Sequence, residues 1–218
     1  MRAVNWKKNL IIIVILGALY SAIAYAINLN IIDPFYQVNL FWMGINIILA
    51  VSLNLIVGFT GQLALGHAGF MAIGAYVSAV LTLNFDVHFF LAILLGALAS
   101  SFIGLLIGLP TLRLRGDYLA IATLGFGEII RGLLINIDYV GGAAGINGIP
   151  KLTTWPWLFG FTVVSVLLIK NFIDSTHGRA CIAIRENEVA ADIMGVNTTR
   201  YKVLAFSIGA FFAGIAGG

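Results

Sequence analysis

The stretch Val57-Gly-Phe-Thr-Gly-Gln-Leu-Ala-Leu-Gly-His-Ala-Gly-Phe70 interrupts an apolar run that begins at Leu40, and another apolar run follows it. It carries Gly58, Gly61, Gly66 and Gly69 together with Gln62 and His67. Lipid cannot hydrogen-bond a free backbone. A glycine-broken polar stretch between two membrane-crossing runs therefore sits at an interface, is buried in protein, or lines a water-filled path. Two readings are open. At a helix break the glycines expose amides and carbonyls to a ligand, with Gly58, Gly61, Gln62, Gly66 and His67 as candidate translocation-path residues. Alternatively the stretch is a tight turn whose glycines let helices pack closely.

Composition agrees with a membrane setting. The chain has 218 residues, 61% hydrophobic and 10% charged, against roughly 25% charged in soluble domains. Charge-poor runs give seven expected spans at 10–27, 40–57, 70–83, 89–109, 118–135, 155–169 and 203–218, joined by a long charged segment at 170–202. The expected fold is all-α: a polytopic bundle of transmembrane helices with glycine breaks, forming one transmembrane domain over residues 1–218. The run 10–27 follows Arg2, Lys7 and Lys8 and precedes an Ala24-Tyr-Ala26 sequence that resembles a signal cleavage site. It is longer than a signal h-region and reads as a retained first span.

The basic residues orient the bundle. If the N-terminus is cytoplasmic, the segments on that side hold Arg2, Lys7, Lys8, Arg113, Arg115, Lys170, Arg179, Arg185, Arg200 and Lys202. Lys151 alone falls in an outer loop and Arg131 within a span, while Asp33, Asp86 and Asp138 lie outside. This is the positive-inside pattern, and dropping any span would scramble it. The net charge of +3 therefore reads as orientation and not as affinity for nucleic acid. One cysteine, Cys181, excludes an internal disulfide, and His67, His88 and His177 lack metal-ligand spacing. No catalytic residue and no metal site is expected. The chain stops in Ala213-Gly-Ile-Ala-Gly-Gly218, an apolar run without a cap, so truncation at the C-terminus is expected.

Three further segments carry chemistry. Tyr139–Pro150 holds Gly141, Gly142, Gly145 and Gly148, cannot be a continuous helix, and reads either as an outer gate or docking surface or as a plain loop. Glu128 and Arg131 share a helix face within a span and read first as a structural ion pair, with a transport role as the second reading. In the segment 170–202, Asn187 suits an N-cap, Glu188 the first turn and Gly195 the C′ position of a helix barely two turns long. Val189 and Ile193 form its apolar face, and Ala190 and Ala191 keep it slim. So short a helix needs a docking partner to hold its shape; the other reading is an amphipathic helix lying on the lipid surface.

These motifs resemble the permeases of ABC importers for branched-chain amino acids. Glu188-Val-Ala-Ala-Asp-Ile-Met-Gly195 is similar to the EAA motif, with Val189 where the general pattern has alanine. Gly61–Phe70 with Ile73-Gly-Ala-Tyr76, then Leu112–Tyr118, Thr123–Glu128 and Gly141–Gly148, resemble LivM-type permeases in kind and order, covering the chain from about Leu40 onward. The resemblance implies an inner-membrane importer subunit moving leucine, isoleucine or valine, with urea or short amides as an alternative cargo. It implies a second, LivH-like permease, two LivG- and LivF-like ATP-binding subunits carrying ATP and Mg, and an extracytoplasmic amino-acid-binding protein. Glu188, Ala190, Ala191 and Gly195 then belong to the coupling helix that contacts an ATPase. Independently, the chain has no G-x-x-x-x-G-K-[ST] loop for an ATP site of its own. A channel or ion-driven carrier would need no coupling helix and would favour paired intramembrane carboxylates, of which only Glu128 is present.

Overall fold

A computed structural model describes residues 6–29, 32–112, 114 and 116–218. Its elements are α1 (Trp6–Asn28), α2 (Pro34–Asn54), α3 (His67–Asn84), α4 (Phe89–Thr111), α5 (Asp117–Asn136), α6 (Trp155–Asp174), α7 (Thr176–Glu186), α8 (Glu188–Ile193) and α9 (Thr198–Gly217). No strand occurs among the described residues. Helix α2 runs on into a π turn, Leu55–Phe59.

Among the described residues, five helices are long and apolar enough to cross a membrane: Pro34–Phe59, His67–Asn84, Phe89–Thr111, Asp117–Asn136 and Trp155–Asp174. The protein is therefore a multi-pass, all-α membrane bundle. The second expected span begins earlier than Leu40, because Pro34 at the first helical position, after Asp33, starts the helix. The sixth is longer than 155–169, since Lys170-Asn-Phe-Ile-Asp174 continues the helix to the Ser175 cap. The first expected span coincides with α1, whose described apolar stretch is the shorter Val14–Asn28. The seventh lies in α9, which is not among the five; its first two turns carry Arg200 and Lys202. Arg2, Arg113 and Arg115 lie outside the described residues.

Helix α9 is the spine. Ala205, Gly209, Ala210, Ala213, Gly214 and Ala216 are buried along it, so neighbouring backbones come close. A Cβ on Gly74 of α3 would sit 2.2 Å from the Gly214 carbonyl oxygen, and one on Gly104 of α4 would sit 2.7 Å from Ala210 Cβ. Lipid supplies no hydrophobic drive between helices, so this small-residue contact and interhelical hydrogen bonds hold the bundle. Ser100 Oγ donates to the Phe70 carbonyl at 2.8 Å, Ser101 Oγ to that of Ser207 at 3.1 Å, and the Phe70 and Phe206 rings meet edge-on at 5.4 Å.

Candidate functional site

The charged segment 170–202 folds into a bracket at one end of the bundle. The Ser175 hydroxyl caps α7 by accepting from the Gly178 amide at 3.3 Å. Asn187 ends α7 and starts α8, its Oδ1 accepting from the Ala190 amide at 3.0 Å. At the far end of α8 the Gly195 amide donates to Asp192 O at 2.9 Å and the Val196 amide to Ala191 O at 3.0 Å, with Gly195 at φ +83. This pair of bonds is a Schellman stop, and a left-handed residue at that point favours glycine. Local chemistry thus fixes both ends of a six-residue helix too short to persist by propensity.

The sides of α8 differ. Ala191 is buried against the chain, whereas Val189, Ala190, Asp192, Ile193 and Met194 are exposed, Ile193 at 81% and Met194 at 82%. Glu188 turns inward, its Oε1 lying 2.7 Å from the ammonium of Lys202, a side chain only 8% exposed. Of the four residues expected to couple, Ala190 and Gly195 lie on the open surface, while Glu188 and Ala191 seat the helix on the bundle.

The glycine-broken stretch lies against this bracket. Thr60 Oγ1 donates to Leu55 O at 2.9 Å, closing the π turn. Arg185 of α7 donates through Nη1 to the Gly58 carbonyl at 2.8 Å, and Gly61 takes φ +70 beneath the Arg185 stem. A cavity of about 300 Å³ lies here, lined by Gly61, Gln62, Asp117, Arg185, Glu188 and Lys202 among others. Gln62 is 3% exposed, and neither its amide nitrogen nor its amide oxygen has a hydrogen-bond partner among the described residues. Cys181 is buried nearby, and that burial pushes its thiol pKa up.

The same stretch then leads into α3 on the other side of the break. The Leu65 amide donates to Thr123 Oγ1 at 3.0 Å, and a Cβ on Gly66 would fall 2.1 Å from the Thr123 carbonyl. His67 Nε2 meets Ser52 Oγ at 2.8 Å inside the bundle. Since the Ser52 hydroxyl donates to Leu49 O at 2.9 Å, the Nε2–H tautomer donates to it. Gly58 and Gly61 therefore face the bracket, Gln62 and His67 are buried, and Gly66 lies at the foot of a groove between α3 and α5.

That groove holds a cavity of about 460 Å³ walled by Gly66, Ala72, Tyr76, Leu124, Glu128 and Arg131, among others. Its other end approaches the loop after α5, where a Cβ on Gly145 would lie 3.8 Å from the Tyr76 hydroxyl. The loop makes two 3-10 turns, Asp138–Val140 and Gly142–Ala144, with Gly141, Gly142, Gly145 and Gly148 at positive φ. Asn84 Nδ2 donates to the Tyr139 hydroxyl at 2.7 Å and ties the loop to the end of α3. Three segments distant in sequence thus meet along one groove. Among the described residues, no group of three or more His, Cys, Asp or Glu side chains could hold a metal.

Residues 35–218 match the family described as branched-chain amino acid transport system / permease component. The chain belongs to that family. The match includes the break, the groove, the loop after α5 and the α7–α8 bracket. This permease chain is 41% identical to the high-affinity branched-chain amino acid transport system permease protein LivM of Salmonella typhimurium, over 79% of this chain and 49% of the relative. It is 39% identical to LivM of Escherichia coli over the same shares. It is 25% identical to a probable branched-chain amino acid transport permease protein LivM of Methanocaldococcus jannaschii, over 82% of this chain and 64% of that relative. The chain spans about half the length of the first two relatives. No solved structure gives a significant match.

Sequence reasoning missed Lys202, Arg185, Ser52 and Thr123. The last three carry no local signal, because their partners are distant in the chain. Lys202 had one, a cation beside an apolar run, but that reads first as a flanking charge.

Proposed function

We propose that this permease chain forms part of the membrane pathway of an ABC importer for leucine, isoleucine and valine, and that α8 is its coupling helix. The observation that carries the reading is the build of α8: capped at both ends, anchored inward through Glu188, and presenting Val189, Ile193 and Met194 outward. An exposed apolar face on a rigid, slim helix suits insertion into a groove on a separate subunit, the helix-in-groove mode of recognition. The family match and the names of the relatives support the cargo.

In this mechanism two LivG- and LivF-like ATPases hold the nucleotide and Mg, and their closure displaces α8. The displacement passes through Glu188–Lys202 into α9 and through Arg185–Gly58 into the π turn of α2. From there the 60–66 stretch carries it to the foot of α3, and the α3–α5 groove changes access. A LivH-like permease completes the pathway, and an extracytoplasmic binding protein meets the Gly141–Gly148 loop. The chain sits in the plasma membrane with its N-terminus and bracket in the cytoplasm, as the distribution of Lys and Arg supports.

The test is leucine uptake into proteoliposomes holding the complete importer. ATP-dependent accumulation that stops when the ATPases carry a dead nucleotide site supports the reading. Accumulation that persists with dead ATPases, or uptake of urea in place of leucine, overturns it.

A further inference from the structure

Glu128 and Arg131 are out of place on a membrane helix. They lie in the middle and outer part of α5, roughly 16 and 21 Å along a helix of about 30 Å. Arg131 Nη1 touches Glu128 Oε2 at 3.3 Å, yet the side chains are 70% and 65% exposed. Charges at that depth are tolerated where they face a bundle interior or a watery cavity, not lipid. Both line the 460 Å³ cavity between α3 and α5. That cavity runs from Gly66 at the glycine break to Tyr76 beneath the Gly145 loop.

The chemistry of the wall is divided. One part is the ion pair, with the Tyr76 hydroxyl the other polar group; the rest is small or apolar, including Ala68, Ala72, Leu124, Leu134 and Ile135. An α-amino acid is divided in the same way. Its ammonium and carboxylate are carried on one carbon, with the close spacing of a contact ion pair, and its side chain projects away from them.

We infer that the Glu128–Arg131 pair is a clasp for the charged end of an α-amino acid in transit: Glu128 receives the ammonium and Arg131 the carboxylate, while the side chain slides on the apolar wall. Without cargo the two residues neutralise each other. With cargo they open, and each exchanges its partner for the complementary charge of the zwitterion, so no charge is left alone at any stage. Arg suits this task because its planar fork holds a carboxylate through two N–H groups. The inference rests on the amino-acid importer reading and adds the site that recognises the cargo.

The experiment uses the complete importer in proteoliposomes and has two arms. In the first, Leu124→Cys places a thiol on the groove wall and Ile129→Cys places one on an exposed part of α5 outside the groove, while the native thiol of Cys181 is buried. A charged, water-soluble thiol reagent is expected to modify Leu124→Cys and spare Ile129→Cys, and millimolar leucine is expected to slow the former. In the second arm, the double variant Glu128→Gln/Arg131→Gln is expected to assemble but to lose leucine protection of Leu124→Cys, and uptake is expected to fall about tenfold or more. A merely structural pair predicts the reverse, because a neutral pair still able to hydrogen-bond replaces an exposed ion pair at little cost. Leucine uptake at the unmodified rate by the double variant, or refusal of the reagent by Leu124→Cys with both charges present, overturns the clasp and leaves the importer reading standing. Absence of ATP-driven leucine uptake by the unmodified importer overturns that reading and the clasp with it.

Discussion

The guanidinium of Arg185 reaches the carbonyl of Gly58 at 2.8 Å, across 127 positions of sequence. It joins the bracket that carries α8 to the π turn ending α2, and π turns often mark functional points in a helix. Because Gly58 accepts through its backbone, the donor is the side to change: a Cβ at Gly58 would collide with the Asn54 side chain and disturb the turn itself.

Arg185→Gln shortens the donor and is expected to cut the link. The same guanidinium also donates through Nε and Nη2 to the exposed Glu186 carboxylate, a surface contact worth little; the main cost is the bond to Gly58, about 1.5 kcal/mol for a half-exposed donor, so the fold should survive. The expected effect is on coupling: ATP hydrolysed per leucine imported should rise severalfold. A ratio equal to that of the unmodified importer would show that the bond carries no motion.

Glu188 and Lys202 make a different prediction. Glu188→Ala leaves an ammonium buried without its carboxylate, which should cost on the order of 3 kcal/mol. The double variant Glu188→Ala/Lys202→Met removes both charges and should recover much of that loss. Thermal unfolding in detergent checks this; equal losses for the single and double variants would deny the pairing. Glu188→Lys would oppose two ammonium groups and should unseat α8 altogether.

The caps of α8 are testable by amide exchange. Asn187→Ala should cost about 1 kcal/mol of local helix stability, and protection over 189–194 should fall by roughly fivefold. Gly195→Ala acts through the left-handed backbone at φ +83, with a penalty of about 1–2 kcal/mol at the same helix. Unchanged exchange in both variants would mean that α8 is held only from outside.

Glycines on α3 and α5 separate close contact from open space. Gly66→Ala would push a methyl into the Thr123 carbonyl, part the foot of α3 from α5, and reduce both thermal stability and uptake. Gly125→Ala, inside α5, meets nothing within 4 Å and should hold or slightly raise stability, since alanine is the better helix former. Equal behaviour of the two variants would contradict the crossing.

The thiol of Cys181 reports on the seat of the bracket. Burial raises its pKa, so the folded state holds the proton more tightly than the unfolded state does. This contribution to stability is complete below the unfolded thiol's ordinary value, near 8.5, and is lost as pH climbs from there through the folded value. Maleimide should therefore react at pH 7 only on unfolding, and Cys181→Ser should flatten the alkaline decline. Rapid labelling of the folded importer at pH 7 would show the seat to be open.

Local chemistry was legible in the sequence, and long-range pairing was not. Asn187 and Gly195 act within one helical turn of themselves, so their types and spacing announced a capped helix that the structure contains. The helices α2 to α6 were legible because a membrane span needs a long apolar run whatever it packs against. The early start of α2 follows from Pro34, a helix-starting residue that lies outside the apolar run. The inward turn of Glu188 depends on Lys202, four turns of chain away, and no motif states it. The i, i+3 spacing of Glu128 and Arg131 was visible, but their exposure toward a groove depends on how α5 lies on α3. Gln62 read as a path residue because it is polar; its burial follows from the fold of the 60–66 turn around it.

The outward face of α8 is where the coupling claim is tested most directly. A photo-crosslinking amino acid at Ile193 or Met194 points away from the bundle, unlike one at Ala191, which is buried. In the complete, transporting importer the account predicts adducts with an ATPase subunit, in yields that change between nucleotide-free and nucleotide-bound states. Adducts with lipid alone at both positions, in an importer that still takes up leucine, would contradict it.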